Sequence, residues 1–363
     1  MLDAQRTLLQ AEDAVAQAES GVNTGAVAAY KALGGVDAAE RAALLGKIAF
    51  TRDRWRGGMA ARRALMQGLG AATLVLSAGA MPASDGRTPT SAESPQAVLA
   101  RSAPTDWRAL DPENTLYLEL TSGRVVIELA PQFAPGHVAN IKALVREHYF
   151  DGLNIIRVQD NYVVQWGDPG GKRDPGAAVH AGPPEFFRPL QRAATFRALQ
   201  DRDVYAPQVG FIDSWPVARN PATGQEWLTH CYAMLGVGRD TAPDSGSGVE
   251  LYVIIGHAPR HLDRNVTLTG RVVQGIELLS GLPRGTGNLG FYEKPEQYVP
   301  IRSIIVAADL PLEERIGLEL LRSDAPIFAD YLRALRSRRT AWFVEPTDRV
   351  ELCNVRIPVR VRP

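Results

Sequence analysis

The run TLYLELTSGRVVIELAP, from Thr115 to Pro131, constrains the fold more than any other part of the chain. Apolar and polar residues alternate through Leu116–Leu120 and Val125–Leu129 around a Ser122-Gly123 turn, which is the period of a β-hairpin. The next segment, APGHVANIKALVREHYF, changes period: Val138, Ile141, Leu144 and Val145 recur at helical spacing, and Gly152 follows shortly past the end. Strand, turn, strand, helix is therefore the opening order. With 25 prolines and 33 glycines spread out and not gathered in a low-complexity tract, the rest reads as a loop-rich β protein. A chain of 363 residues, 45% hydrophobic and 22% charged, has apolar material for one large domain or two modest ones.

Charge excludes some partners. Forty basic residues balance forty acidic ones, so no net field draws the chain to nucleic acid or to an anionic membrane surface. Two cysteines, Cys231 and Cys353, are too few for a disulfide framework and too far apart for a CxxC zinc site. They form either one bridge closing a long loop or two buried thiols. His257 and His261 flank one turn without a Cys or third His beside them, a poor metal site, so no metal and no cofactor is expected.

Nearer the start, MAARRALMQGLGAATLVLSAGAMPA reads as a signal peptide occupying residues 59–83, beginning at Met59. Arg62 and Arg63 supply its positive end, Leu65 to Leu76 the apolar segment, and Ala78-Gly79-Ala80 or Ala83 the small-residue cleavage context. An uncleaved N-terminal anchor is the alternative; both send the remainder outward, to the periplasm. Residues 1–58 then precede the expected start as a helical extension, with Leu8, Ala11, Val15 and Ala18 sharing a face. The words DAQRTLLQAEDAVAQAE and YKALGG within residues 1–35 resemble the C-terminal end of outer-membrane efflux channel proteins, so 1–58 is read as a read-through segment. Residues 84–113, with SDGRTPTSAESPQ, lack apolar periodicity and are expected to be a linker.

Two later blocks carry the chemistry. The first is YFDGLNIIRVQDNYVVQWGDPGG, from Tyr149 to Gly171; the second is ELYVIIGHAPRHLDRNVTLTGRVVQGIE, from Glu250 to Glu277. Both resemble, in order, the signature blocks of the cyclophilin-type peptidyl-prolyl isomerases. With the hairpin and helix, the resemblance covers 114–307 and implies a mainly β fold: an eight-stranded antiparallel barrel with two capping helices. Matched residue by residue, it implies Arg157 as the catalytic arginine and Gln165 as its substrate-holding partner. It implies Tyr162, Val163, Tyr252 and Leu262 as the apolar pocket for proline. Glu250 stands where glutamine is common, His261 where some members have tryptophan, Val266 where many have histidine, and Gly238-Arg239 where Ala-Asn is common.

The reaction explains these residue types. An Xaa-Pro amide turns over a barrier of about 18–20 kcal/mol because amide resonance is lost as the bond twists. A permanently charged guanidinium with several fixed donors can favour the twisted state over the planar one. The expected ligands are proline-containing peptides and unfolded exported proteins, handled by a monomer. The alternative is a weakly active or inactive barrel that binds peptides as a chaperone, motivated by Glu250, Val163 and Val266; a structural role beside an efflux channel rests on residues 1–58 alone.

Between the two blocks lies an insertion at 170–228, where NPATGQ marks a turn and a loop or added hairpin near the site is expected. The tail, 308–363, reads as a helical extension with a short strand. Leu318, Leu321, Phe328, Leu332 and Leu335 fall at helical spacing, Pro326 is expected to separate two helices, and Arg336, Arg338 and Arg339 to form a solvated helix end.

Overall fold

A computed structural model describes residues 93–168, 170–176, 183–340 and 342–362. The expected helical extension 1–58, the expected signal peptide 59–83 and the first part of the expected linker lie outside the described residues. From residue 93 onward the linker expectation is corrected. Ser94 caps α1 (Pro95–Ala100) by accepting from the Ala97 amide at 3.1 Å, and β1 (Trp107–Ala109) follows. Arg101, past the helix end, pairs with Asp330 and Glu93. Val98 and Trp107 are apolar anchors that a polar composition average hides.

The hairpin forms with its turn one residue earlier than expected. β2 (Thr115–Leu120) pairs antiparallel with β3 (Gly123–Leu129), Leu120 opposite Gly123, so Thr121-Ser122 makes the tight turn. Leu116, Leu118, Leu120, Val125, Ile127 and Leu129 all enter one apolar core. Helix α2 (Pro135–Arg146) closes on that core with Val138, Ile141, Leu144 and Val145. Its first turn has no cap of its own; the Glu185 carboxylate accepts from the Gly136 and His137 amides, each at 2.9 Å.

Strands β4 (Asn154–Val158) and β5 (Val163–Gly167) come next. The insertion then supplies β6 (Arg188–Pro189), β7 (Arg197–Ala198), β8 (Gln208–Ile212), β9 (Trp215–Asn220) and β10 (Gln225–Leu228). The chain returns through β11 (Met234–Val237), β12 (Leu251–Ile254), β13 (Leu268–Gln274), α3 (Ile276–Ser280) and β14 (Val299–Val306). Eight of these strands close an antiparallel barrel in the order β11-β12-β5-β4-β14-β2-β3-β13, with β13 also pairing β11. Alternation decides which side chains fill it: Val164 and Trp166 join the interior, while Val163 faces the other way. Leu279 of α3 covers the same core as α2.

The insertion is more than a hairpin. NPATGQ does turn β9 into β10, Asn220 opposite Gln225, but both belong to a five-stranded sheet in the order β6-β10-β9-β8-β7. Phe211, Trp215, Val217 and Trp227 from this sheet bury together with Phe328, Tyr331 and Leu332 as a second core. Strands β6 and β7 are two residues long and have no alternation to read.

The tail is corrected in one element. Leu318 and Leu321 lie on β15 (Leu318–Leu321), which pairs β1 on one side and β16 (Val359–Val361) on the other. Pro326 separates no helices; it opens the single helix α4 (Pro326–Ser337), whose buried residues include Phe328 and Leu332, with Leu335 packed at the margin. Arg336 is no free solvated end, since it pairs with Asp201 of the insertion at 3.1 Å. Cys231 and Cys353 form a disulfide joining the chain before β11 to the tail. Nearby, Glu128 of β3 holds Arg271 of β13 and Arg108 of β1, and Arg271 also donates to the Ser214 carbonyl beside Trp215. Barrel, N-terminal segment and inserted sheet thus meet at one buried carboxylate.

Candidate functional site

Barrel register builds the site. Arg157 lies opposite Gln165, Gln165 opposite Tyr252, and Tyr252 opposite Gly236, a row across β4, β5, β12 and β11. Gln165 and Val163 alternate with the interior residues Val164 and Trp166, so the row stands on the outer face of the barrel. A register shift between Ile155 and Arg157 bulges β4 at the arginine, a device that re-aims a side chain.

The Arg157 guanidinium is held on three sides. Nη1 donates to Gln165 Oε1 at 3.0 Å, Nε to the Leu289 carbonyl at 2.7 Å, and Nη2 to Gln159 Oε1. It also stands over the Phe291 ring at 5.2 Å and the Tyr162 ring at 5.7 Å. Burial lowers its pKa, yet arginine stays charged at any working pH. Gln165 is buried, and its amide Nε2 donates to Glu250 Oε2 at 2.7 Å. Burial raises the Glu250 pKa, with Gln165 opposing and the Asp240 and Asp168 charges adding to the rise.

These groups share a cleft of about 710 Å³ lined by Arg157, Tyr162, Val163, Gln165, Gly238, Arg239, Glu250, Tyr252, Leu262 and Val266. That volume suits a short peptide segment. Tyr162, Val163, Tyr252, Leu262 and Val266 give the lining apolar side chains, and Asp240, Ser245 and Glu250 polar ones. Tyr252 lies flat over Gly236, where a Cβ would come within 2.3 Å of the ring, so only glycine admits the ring there. Arg239, also in the lining, donates to the Asn265 carbonyl at 2.8 Å.

His261 is the one expected site residue that the cleft leaves out. It sits exposed on the tight turn Arg260–Leu262, where its neighbours Arg260 and Leu262 turn inward and it turns to solvent. Val237, Val249, Leu289 and Phe291 line the cleft without having been expected. Leu289 and Phe291 belong to GNLGFY, outside both signature blocks, and reach the site because Phe291 bridges to Arg157. Among the described residues no group of three His, Cys, Asp or Glu is placed to hold a metal.

A closed eight-stranded barrel thus carries apolar side chains beside a fixed guanidinium on its outer face. The comparisons name the class. Residues 115–306 match the family model "Cyclophilin type peptidyl-prolyl cis-trans isomerase/CLD". The chain belongs to the cyclophilin-type peptidyl-prolyl cis-trans isomerase family. A probable peptidyl-prolyl cis-trans isomerase of Brucella suis is 50% identical over 60 residues, 16% of this chain; the chain spans 31%, about a third, of that relative's length. Human peptidyl-prolyl cis-trans isomerase-like 1 is 27% identical over 214 residues, covering 59% of this chain and 99% of that protein. The crystal structure of cyclophilin AquaCyp293 from Hirschia baltica superposes with a TM-score of 0.59 at 25% identity, covering 74% of this chain and 98% of that one.

Proposed function

We propose that the chain is a peptidyl-prolyl cis-trans isomerase acting on Xaa-Pro bonds of exported proteins. The observation that carries the reading is the row itself: a guanidinium fixed by Gln165 and Leu289 at the edge of an apolar slot. The slot holds the proline ring. Arg157 donates to the imide as it twists and pyramidalises, an interaction stronger in the transition state than in the planar ground state. Gln165 steadies the substrate backbone. No covalent bond breaks, so Glu250 has no proton to move and acts on substrate contact only. Export is supported by the signal-peptide pattern at Met59 and by the Cys231–Cys353 disulfide, which suits an oxidising compartment.

One observation favours a weaker reading, a peptide-binding barrel with little catalysis. Both ends of the Gln165 amide are engaged, by Arg157 and by Glu250, and a substrate has to displace one of them. A protease-coupled isomerisation assay on the mature chain separates the readings. The isomerase reading expects a rate well above background that falls by about 10²–10³ in Arg157→Ala, the scale of losing one preorganised charge donor. Peptide binding with isomerisation at background, unchanged in Arg157→Ala, selects the weaker reading instead.

A further inference from the structure

Behind the slot stands a buried polar chain that the reaction itself does not use. His230 is fully buried between β10 and β11. Its Nδ1 lies 3.0 Å from Asp263 Oδ1 and its Nε2 3.1 Å from the Tyr252 hydroxyl. Asp263 also takes the His230 backbone amide at 2.9 Å and Arg260 Nε at 2.6 Å, and Arg260 forks onto Asp203 of the insertion at 2.9 and 3.1 Å. Glu351 of the tail stands 4.0 Å from the same guanidinium.

Donor counting orients the chain. A carboxylate only accepts, so the imidazole places its hydrogen on Nδ1, toward Asp263. Nε2 is then an acceptor, and the Tyr252 hydroxyl must be the donor. Burial lowers the His230 pKa against the opposing pull of Asp263, which keeps the ring neutral at neutral pH. The phenol's only proton therefore points into the protein, and Tyr252 offers the slot its ring and no donor.

We infer that His230 is a positioning residue of the proline slot: by accepting the Tyr252 hydroxyl proton it fixes the ring over Gly236 and keeps the slot free of a competing donor. This rests on the isomerase reading for its kinetic consequence. With Nε2 removed, as in His230→Leu, the buried hydroxyl loses the acceptor that holds it.

The test is kinetic and spectroscopic. Proline binding is common to ground and transition states, so His230→Leu raises KM for an Ala-Pro peptide about tenfold while kcat stays within about twofold. His230→Gln, whose oxygen accepts from Tyr252 and whose amide donates to Asp263, keeps KM within about threefold of wild type. Adding Tyr252→Phe to His230→Leu restores KM to within about threefold, because the stranded hydroxyl is gone. In the wild-type chain at neutral pH, nitrogen-15 histidine spectra show His230 with its hydrogen on Nδ1. An unchanged KM in folded His230→Leu, no restoration in the double variant, or an Nε2–H tautomer each overturns the inference. If His230→Leu does not fold, His230→Gln and the tautomer still decide it. A wild-type chain that neither isomerises nor binds the peptide defeats the isomerase reading, and the tautomer alone then decides the orientation of the chain.

Discussion

Glu250 is the residue whose chemistry departs furthest from the slot around it. It is a half-buried carboxylate whose pKa burial raises, so the native state holds its proton more tightly than the unfolded chain does. Between the unfolded and folded values the native state binds more protons, and stability falls as pH rises through that window. Glu250→Gln removes the ionisation and can still accept from Gln165. The variant is accordingly more stable than wild type at neutral pH, and the advantage vanishes below the unfolded carboxylate pKa; urea melts in both ranges measure it. At this scale the site was readable wherever it fell within one contiguous block. Arg157, Tyr162, Val163 and Gln165 come from nine successive residues, and local pattern places them. His230 and Asp263 were not readable, because only tertiary pairing brings positions 33 apart to one hydrogen bond. His261 stands outside the cleft lining for a related reason. A one-residue step on a tight turn reverses which side chain faces inward, and no periodicity reports that.

Among elements, the hairpin and α2 were legible because each carries its period over six residues or more. Strand β15 was not. Leucines spaced three apart in four residues satisfy a helix face or a strand buried on both sides, and pairing with β1 and β16 chose the strand. The inserted sheet hid for the same physical cause, since its short outer strands exist only through their partners. What binds these late-recognised elements to the barrel is the Glu128 carboxylate, ionised despite burial because Arg271 and Arg108 outweigh the desolvation. Glu128→Gln leaves two arginines facing each other without their anion, and about 3–5 kcal/mol of unfolding free energy is lost at neutral pH. The sign follows from the lowered pKa: the stabilisation is present above the unfolded carboxylate value and disappears as pH falls through the folded one. Wild type and variant therefore converge in acid, a comparison that guanidinium melts at the two pH values make directly.

For the whole molecule, the disulfide does what neither core does alone. The barrel interior is closed by α2 and α3, whereas the second core is shared among the inserted sheet, α1, α4 and the outer face of the barrel at Val163, Met234, Ile254 and Leu268. The tail is thus held by the N-terminal segment, β15 on β1 and α4 beside α1, together with the inserted sheet, and Cys231–Cys353 pins it at a separation of 122 residues. Constraining so long a loop in the unfolded chain is worth about 4–5 kcal/mol by chain entropy, and typical bridges deliver about 2–4. Reduction, or the pair Cys231→Ser and Cys353→Ser, is expected to lower stability by about 2–4 kcal/mol and to open the tail to protease before the barrel unfolds. The cleavage points fall first between α4 and the Leu352–Asn354 turn, where Trp342 and Val344 are exposed. The barrel keeps its own closed core in that state, so Trp166, buried inside it, still reports native fluorescence while Trp107 and Trp215, packed in the second core, do not. A single transition common to all the tryptophans and unmoved by reductant would show that the bridge adds nothing to a core already complete. Two separated transitions, the earlier one moving with the thiol, identify the tail and the core it packs on as a unit that the disulfide staples to a cyclophilin-type barrel.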